Sequence, residues 1–163
     1  RISNIVKTLK KFVRLDEAEL QEANINKELD LTLELIRHET KTKEVIKNYS
    51  NLPTVKCYPN MLNQVFMNIL VNACQSMENG GTLTVTTETD KKNLIVKIKD
   101  TGKGIKKENL DKIFTAGFTT KGVGVGTGLG LAISQKIIEK HKGKITVKSE
   151  EGKGTEFTIT IPV

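Results

Sequence analysis

"CYPNMLNQVFMNILVNACQSM", Cys57 to Met77, contains no charged residue, in a chain of 163 residues of which 28% is Asp, Glu, Lys or Arg. A membrane span is excluded, because Asn60, Asn63, Gln64, Asn68, Asn72 and Gln75 are too polar for a bilayer core. Pro59 stands at the opening of this stretch. Leu62, Val65/Phe66, Ile69 and Ala73 then form one helical face, while Gln64, Asn68, Asn72 and Gln75 form another at spacings of four, four and three. A solvated face in this protein would carry Lys and Glu. An uncharged amide stripe suggests a face turned toward a ligand, where side-chain oxygens and amines meet a metal and phosphates; a merely polar helix face is the plainer alternative.

A second unusual stretch lies downstream. "KGVGVGTGLGLA", Lys121 to Ala132, has glycine at every second position from Gly122 to Gly130. A flexible linker would be polar, yet Val, Thr and Leu intervene and a helical pattern follows. A strand would be weakened by so many glycines. The remaining reading is a loop whose backbone approaches a ligand closely, with amides at a helix start holding an anion. Neither G-x-x-x-x-G-K-[ST] nor G-x-G-x-x-G fits any frame, so the loop suggests phosphate without naming a fold.

The length allows one domain with a real core. A net charge of +7, from 26 Lys and Arg against 19 Asp and Glu, fits an anionic ligand. Nucleic acid is disfavoured, because the charge is spread along the chain and aromatics, at 4%, supply few stacking platforms. Cys57 and Cys74 lack metal-ligand spacing and make a weak disulfide case, so a reducing, cytoplasmic setting is expected. The chain begins at Arg1 without a signal peptide and is expected to be a fragment of something longer.

Around these stretches the pattern predicts a mixed sheet with helices on one face, an α+β two-layer sandwich. "ISNIVKTLKKFVRL", residues 2 to 15, has a heptad-like seam at Ile2, Ile5/Val6, Leu9 and Phe12/Val13; it reads as the end of a longer helix packing on partner helices, or as a helix lying on its own domain. "DEAELQEA" reads as a connector. Asn26 is the expected cap of a helix running to about His38, followed by a strand near Lys43 to Asn48. "GGTLTVTTETDKKNLIVKIKD" reads as a hairpin turning at Asp90 to Asn93, with Leu94, Val96 and Ile98 inward and Lys97 and Lys99 outward. A short helix is expected near Glu108 to Phe114, then a helix from about Gly128 to His141 that Gly143 would cap. "KITVKS" and "TEFTITIPV" supply the last strands.

Asp100 ends the second hairpin strand in "DTGKGI", Asp100 to Ile105. The arrangement is turn chemistry, or a carboxylate accepting from a base amine. "NILVNA", "DTGKGI", "KIFTAGFTTK" with "GTGLGLA", and "GKGTEF" occur in that order. The set resembles the N box, glycine boxes and phenylalanine box of the ATP-binding catalytic domain of sensor histidine kinases. That domain belongs to the Bergerat-fold superfamily, which also contains gyrase and the MutL mismatch-repair proteins. The resemblance covers about residues 22 to 163, and "NACQSM" and "FTTK…GTGLGLA" are most similar to the nitrogen-regulator type.

The resemblance implies binding of ATP with Mg2+. Asn72 would hold the metal through its amide oxygen, and Asn68 would support the phosphate and metal shell, with Gln75 nearby. Asp100 would accept from the adenine amine, with Gly102, Gly104, Ile105 and Thr155 lining the base. Residues 121 to 126 would form a lid, Thr120 and Lys121 would contact phosphate, and Gly126, Thr127, Gly128, Leu129, Gly130 and Leu131 would bring amides and a helix start to the phosphates. Catalysis would fall to Asn68, Asn72 and Lys121. Two residues depart from relatives of the fold. Asn68 stands where hydrolysing cousins carry a Glu, and an amide cannot be that general base, which favours a kinase. Gln75 stands where many sensor kinases have Lys or Arg.

The implied division is 1–16 as the end of a dimerisation and phosphotransfer helix, 17–25 as connector and 26–163 as catalytic domain. The γ-phosphoryl would pass to a histidine outside this stretch and then to a response-regulator receiver domain. Full-length chains would dimerise through the upstream bundle, whereas the isolated domain would be monomeric, without nucleic acid, and tied to a membrane only through regions absent here. His38, in "RHETK", lacks the following Asn/Thr-Pro and lies too near Asn72 to be the acceptor; it reads as a surface residue. His141 reads as structural, at a helix end that favours a cation. An ATPase or anti-sigma-type Ser/Thr kinase on the same fold, and a nucleotide-sensing pseudokinase, are the rival readings.

Overall fold

A computed structural model describes residues 19–118 and 129–163. Among them, a five-stranded mixed sheet is covered on one face by helices. Strand β1, Gln21–Ala23, pairs antiparallel with β3, Val55–Cys57, as a separate two-stranded sheet. The acidic stretch read as a connector thus ends in a paired strand. The large sheet runs β2 (Glu44–Tyr49), β4 (Thr82–Thr89), β5 (Asn93–Asp100), β7 (Gly154–Pro162), β6 (Lys144–Glu150). β2 and β4 are parallel, and the other three pairs are antiparallel.

Helix α1, Ile25–Leu35, begins two residues earlier than expected, and α2, Arg37–Thr40, follows it as a separate turn. The cap is Asn24, not Asn26. Asn24 has extended backbone as the chain leaves β1, so its carboxamide accepts from the Lys27 N–H at 3.3 Å. Asn26 already lies in the first turn. Its Nδ2 donates to Ser50 O (2.8 Å) and its Oδ1 accepts from Thr87 Oγ1 (2.8 Å), tying the helix to the far ends of β2 and β4.

Helix α3, Pro59–Gln75, lies against the sheet between α1 and α4, Gly130–Lys140. It buries Met61, Leu62, Val65, Phe66, Ile69, Leu70, Ala73 and Cys74 against Leu83, Val85, Leu94, Val96, Ile98, Phe157, Ile159 and Ile161 from alternate sheet positions. The alternation in β5 faces Leu94, Val96 and Ile98 inward, with Lys97 and Lys99 on the opposite side. Each fully buried aliphatic side chain contributes about 2 kcal/mol. Phe66→Ala would leave a cavity costing roughly 3–5 kcal/mol. The hairpin turn is fixed by Asp90, whose Oδ1 accepts from the N–H groups of Lys92 (2.8 Å) and Asn93 (2.7 Å).

Two expected elements differ in detail. The short helix is a single 3-10 turn, Lys107–Asn109. At the end of α4 the left-handed residue is Lys142, with φ 60°, rather than Gly143. The Lys142 N–H donates to Glu139 O and the Gly143 N–H to Ile138 O, both at 2.9 Å, which closes the helix in a Schellman arrangement. Gly143 is needed for a different reason, since a Cβ there would overlap the carbonyl of Thr160.

Candidate functional site

The C-terminal end of α3 meets the end of β5. Asp100 is 4% exposed and sits in register with Leu83 of β4 and Thr155 of β7, itself buried. Its Oδ1 accepts from the Gly102 N–H at 2.8 Å, and the Ser76 hydroxyl and Thr155 N–H also bond the carboxyl. Burial pushes the Asp100 carboxyl above its usual range, and these neutral donors offset the shift only in part. Ser76 Oγ lies 2.8 Å from Ala73 O as well, so its one proton serves two acceptors.

The glycines of "DTGKGI" prove to be packing positions. A Cβ on Gly102 would overlap Ser76, whose carbonyl accepts from the Lys103 N–H at 3.1 Å. Gly104, at φ 72°, has its bare face against the Glu150 carbonyl in the β6–β7 turn. Whatever they line, these glycines have a packing role that the sequence did not announce: they let the Asp100 turn seat between α3 and that β-turn. Ile105 follows, its N–H donating to Ser149 Oγ at 2.7 Å.

The amide stripe runs back along α3 from this end. Gln75, the last helical residue, is exposed, and Asn72 is half-buried one turn before Ser76. Asn68, a further turn away, is half-buried and holds α3 to α4. Its Nδ2 donates to Gly130 O (3.0 Å) and Ser134 Oγ (3.2 Å), and its Oδ1 accepts from Gln64 Nε2 (3.0 Å). Gly130 passes close enough that a Cβ would touch Asn68 Cγ at 3.4 Å. Leu129 and Leu131 are half-buried beside it and pack against the core. Thr120, Lys121, Gly126, Thr127 and Gly128 lie outside the described residues.

Asp100, Gly102, Ile105 and Thr155 are thus gathered at one end of the sheet, and Asn68 is joined to Gly130. Sequence reasoning missed Ser76, Ser134 and Ser149, three hydroxyls that connect these groups; a lone serine carries no pattern that would mark it. Among the described residues no group of three or more His, Cys, Asp or Glu could hold a metal, and no helix is long and apolar enough to cross a membrane. His38 lies exposed on α2, its Nε2 3.7 Å from Glu39 Oε1. Cys57 and Cys74 are free and buried, and burial pushes both thiols up to about 11.

His141 has a structural place, as a neutral ring held by backbone and not as a cation. Its Nδ1 donates to Ile137 O at 2.8 Å, which leaves Nε2 to accept from the Tyr58 N–H at 3.1 Å. Burial, with Lys140 nearby, holds its pKa below 6.5, so desolvation outweighs the helix dipole. It joins the last turn of α4 to the residue preceding α3.

A family model described as histidine kinase-, DNA gyrase B- and HSP90-like ATPase matches residues 57–163. The sensor histidine kinase ZraS of Escherichia coli K12 is 36% identical over 166 residues, covering 100% of this chain and 35% of the relative. Sporulation kinase E of Bacillus subtilis 168 is 46% identical over 114 residues, 69% of this chain and 15% of the relative. The chain therefore spans about a third, or less, of the length of these curated relatives. Among solved structures, the catalytic domain of histidine kinase ThkA aligns with TM-score 0.80 and 31% identity, covering 88% of this chain and 95% of that one. Full-length ShkA in complex with AMPPNP aligns with TM-score 0.85 and 28% identity, covering 98% of this chain and 35% of that one.

Proposed function

Because this chain belongs to the histidine kinase-, DNA gyrase B- and HSP90-like ATPase family, we propose that it is the ATP-binding catalytic part of a two-component sensor histidine kinase. It would pass the γ-phosphoryl group to a histidine borne elsewhere in the protein, and from there to a response-regulator aspartate. The observation that supports this most is Asp100: a buried carboxylate at a strand end, held by neutral donors and left with lone pairs for a ligand donor. A group so costly to bury is retained where its charge is used.

The base would lie at Asp100, Thr155 and Ile105, and the phosphates would run along α3 toward Asn72, Asn68 and the start of α4. From Ser76 to Asn68 is eight residues of helix, about 12 Å, a span suited to an extended nucleotide. At the phosphate end, Gly130 and Leu131 begin α4, and the N–H groups of a helix's first turn favour an anion. Mg2+ fits this donor set, since it binds one or two protein oxygens and otherwise water and phosphate oxygens. The half-buried Asn72 amide oxygen would supply the protein ligand, and Gln75 at the helix end would take the contact that a longer cation makes elsewhere. When bound, the metal would neutralise charge developing on the phosphates.

Asn68 shapes the chemistry. An amide cannot take a proton from water, and this one has both ends committed to Gly130, Ser134 and Gln64. Attack by water would be slow, and the phosphoryl group would be kept for a histidine acceptor. Lys121 and Thr120 would complete the phosphate contacts. Residues 1–16 would be the end of a bundle helix through which full-length chains dimerise, residues 17–25 its connector and 26–163 the catalytic unit. The work would take place on the cytoplasmic side, with any membrane anchor outside this stretch.

Calorimetric titration of ATP into the chain, with and without Mg2+ and with phosphate release followed in parallel, tests the reading. Mg2+-strengthened binding with negligible release is expected, together with phosphorylation of an added bundle that bears the histidine. Steady turnover to phosphate would make the chain an ATPase, and binding without any transfer to the bundle would make it a sensing module.

A further inference from the structure

Leu83, Asp100, Thr155 and Ser149 form one continuous row across β4, β5, β7 and β6, each the Cα partner of the next. Ser149 Oγ lies 2.7 Å from the Ile105 N–H, 3.0 Å from Gly154 O and 2.8 Å from Thr155 Oγ1. The proton count is decisive. A hydroxyl has one proton and two lone pairs. The Ile105 amide only donates and the Gly154 carbonyl only accepts. The one arrangement that satisfies all three neighbours has Ser149 giving its proton to Gly154 O and one lone pair to Ile105, with its second lone pair taking the proton of Thr155. Ser149 is saturated, and Thr155 is left with lone pairs alone.

We propose that Ser149 is a positioning residue that sets purine selectivity: by consuming the Thr155 proton it makes Thr155 an acceptor beside Asp100, so that the row offers a base acceptors and no donor. The inference rests on the adenine reading of Asp100. A 6-amino purine brings protons to both acceptors. A 6-oxo purine brings an oxygen that finds two acceptors and no proton, and a buried mismatch of that kind is heavily penalised. Ser149 also orders the Ile105 turn through the same oxygen, so one hydroxyl couples the shape of the site to its polarity.

Competition titrations of ATP and GTP in the presence of Mg2+ test the proposal on the 163-residue chain. Ser149→Ala frees the Thr155 proton to turn toward the base, and the preference for ATP over GTP is expected to fall about tenfold. Ser149→Thr, which keeps the hydroxyl, restores it. In a Thr155→Val background, Ser149→Ala should leave the preference where Thr155→Val alone puts it. Equal weakening of ATP and GTP in Ser149→Ala would overturn the proposal and leave Ser149 a purely structural residue. Should Ser149→Ala fail to fold, Ser149→Cys keeps the shape with a poorer acceptor; a reduced preference supports the idea and an unchanged one overturns it. A wild-type chain that binds ATP and GTP equally would overturn the adenine reading itself, which is a separate failure.

Discussion

The two ends of α3 each meet an ionisable group, half-buried at one end and buried at the other, and they treat it in opposite ways. At the N-terminal end, both ring nitrogens of His141 are used by backbone, one by Ile137 O and the other by the Tyr58 N–H. At the C-terminal end, Asp100 has three neutral donors, one of them a serine proton shared with Ala73. A carboxylate has room for about four. Saturation marks the histidine as a clamp, and the spare capacity of the aspartate is what the proposed nucleotide reading draws on. Burial disfavours charge at both, so burial alone would not have separated them.

The sharpest way to break this contrast is Asp100→Ala, for which ATP affinity should fall about a hundredfold or more, with loss of the preference over GTP; competition titration reads it, and an intact preference would show that Asp100 is only a turn residue. Next in size is Asn72→Ala, midway along the stripe. It should weaken Mg2+-dependent ATP binding about tenfold and spare Mg2+-free adenosine; equal losses for the two ligands would assign Asn72 to the fold.

His141→Ala should leave nucleotide selectivity intact and lower stability by roughly 1–2 kcal/mol in denaturant unfolding, because the Tyr58 N–H loses its acceptor. A change in selectivity would place the clamp in the site. The smallest effects are the pH slopes, which should oppose each other. The folded-state pKa of His141 is lowered, so its contribution is present above 6.5 and lost as pH falls through the folded value. That of Asp100 is raised, so its contribution is present below 3.8 and lost as pH rises through the folded value. Unfolding free energy measured against pH should therefore lose its acid-side decline in His141→Gln. Asp100→Asn should gain stability at neutral pH while losing selectivity, and a less stable Asp100→Asn would mean that the ionised carboxylate holds the fold.

Much of this contrast was legible from the residue pattern, and the illegible part has a common cause. The amide stripe of α3 stood out because a charged chain rarely spares a helix face, and β5 because period-two alternation puts Leu94, Val96 and Ile98 on one side. β1 was hidden, since Gln21, Glu22 and Ala23 show no alternation and gain their pairing from distant Val55 to Cys57. The cap at Asn24 and the left-handed Lys142 were hidden for a similar reason. Asn26 and Gly143 are equally good local candidates, and only contacts with Thr87 and Thr160 decide. Gly102 and Gly104 announced a close approach, but not that Ser76 and Glu150 would be what approaches.

The parallel pairing of β2 with β4 bears on how the domain folds. Everything from Ser50 to Gly81, including β3 and the whole of α3, lies in the connection between those two strands. A parallel pair closes only when its crossover has formed, and such long-range contacts raise the loop entropy to be overcome before they are rewarded. The helix that carries Asn68 and Asn72 therefore lies inside the loop that this pairing closes. Nucleotide bound along α3 should protect β2 amides from hydrogen exchange as strongly as those of the site itself, making the edge strand a remote reporter of occupancy.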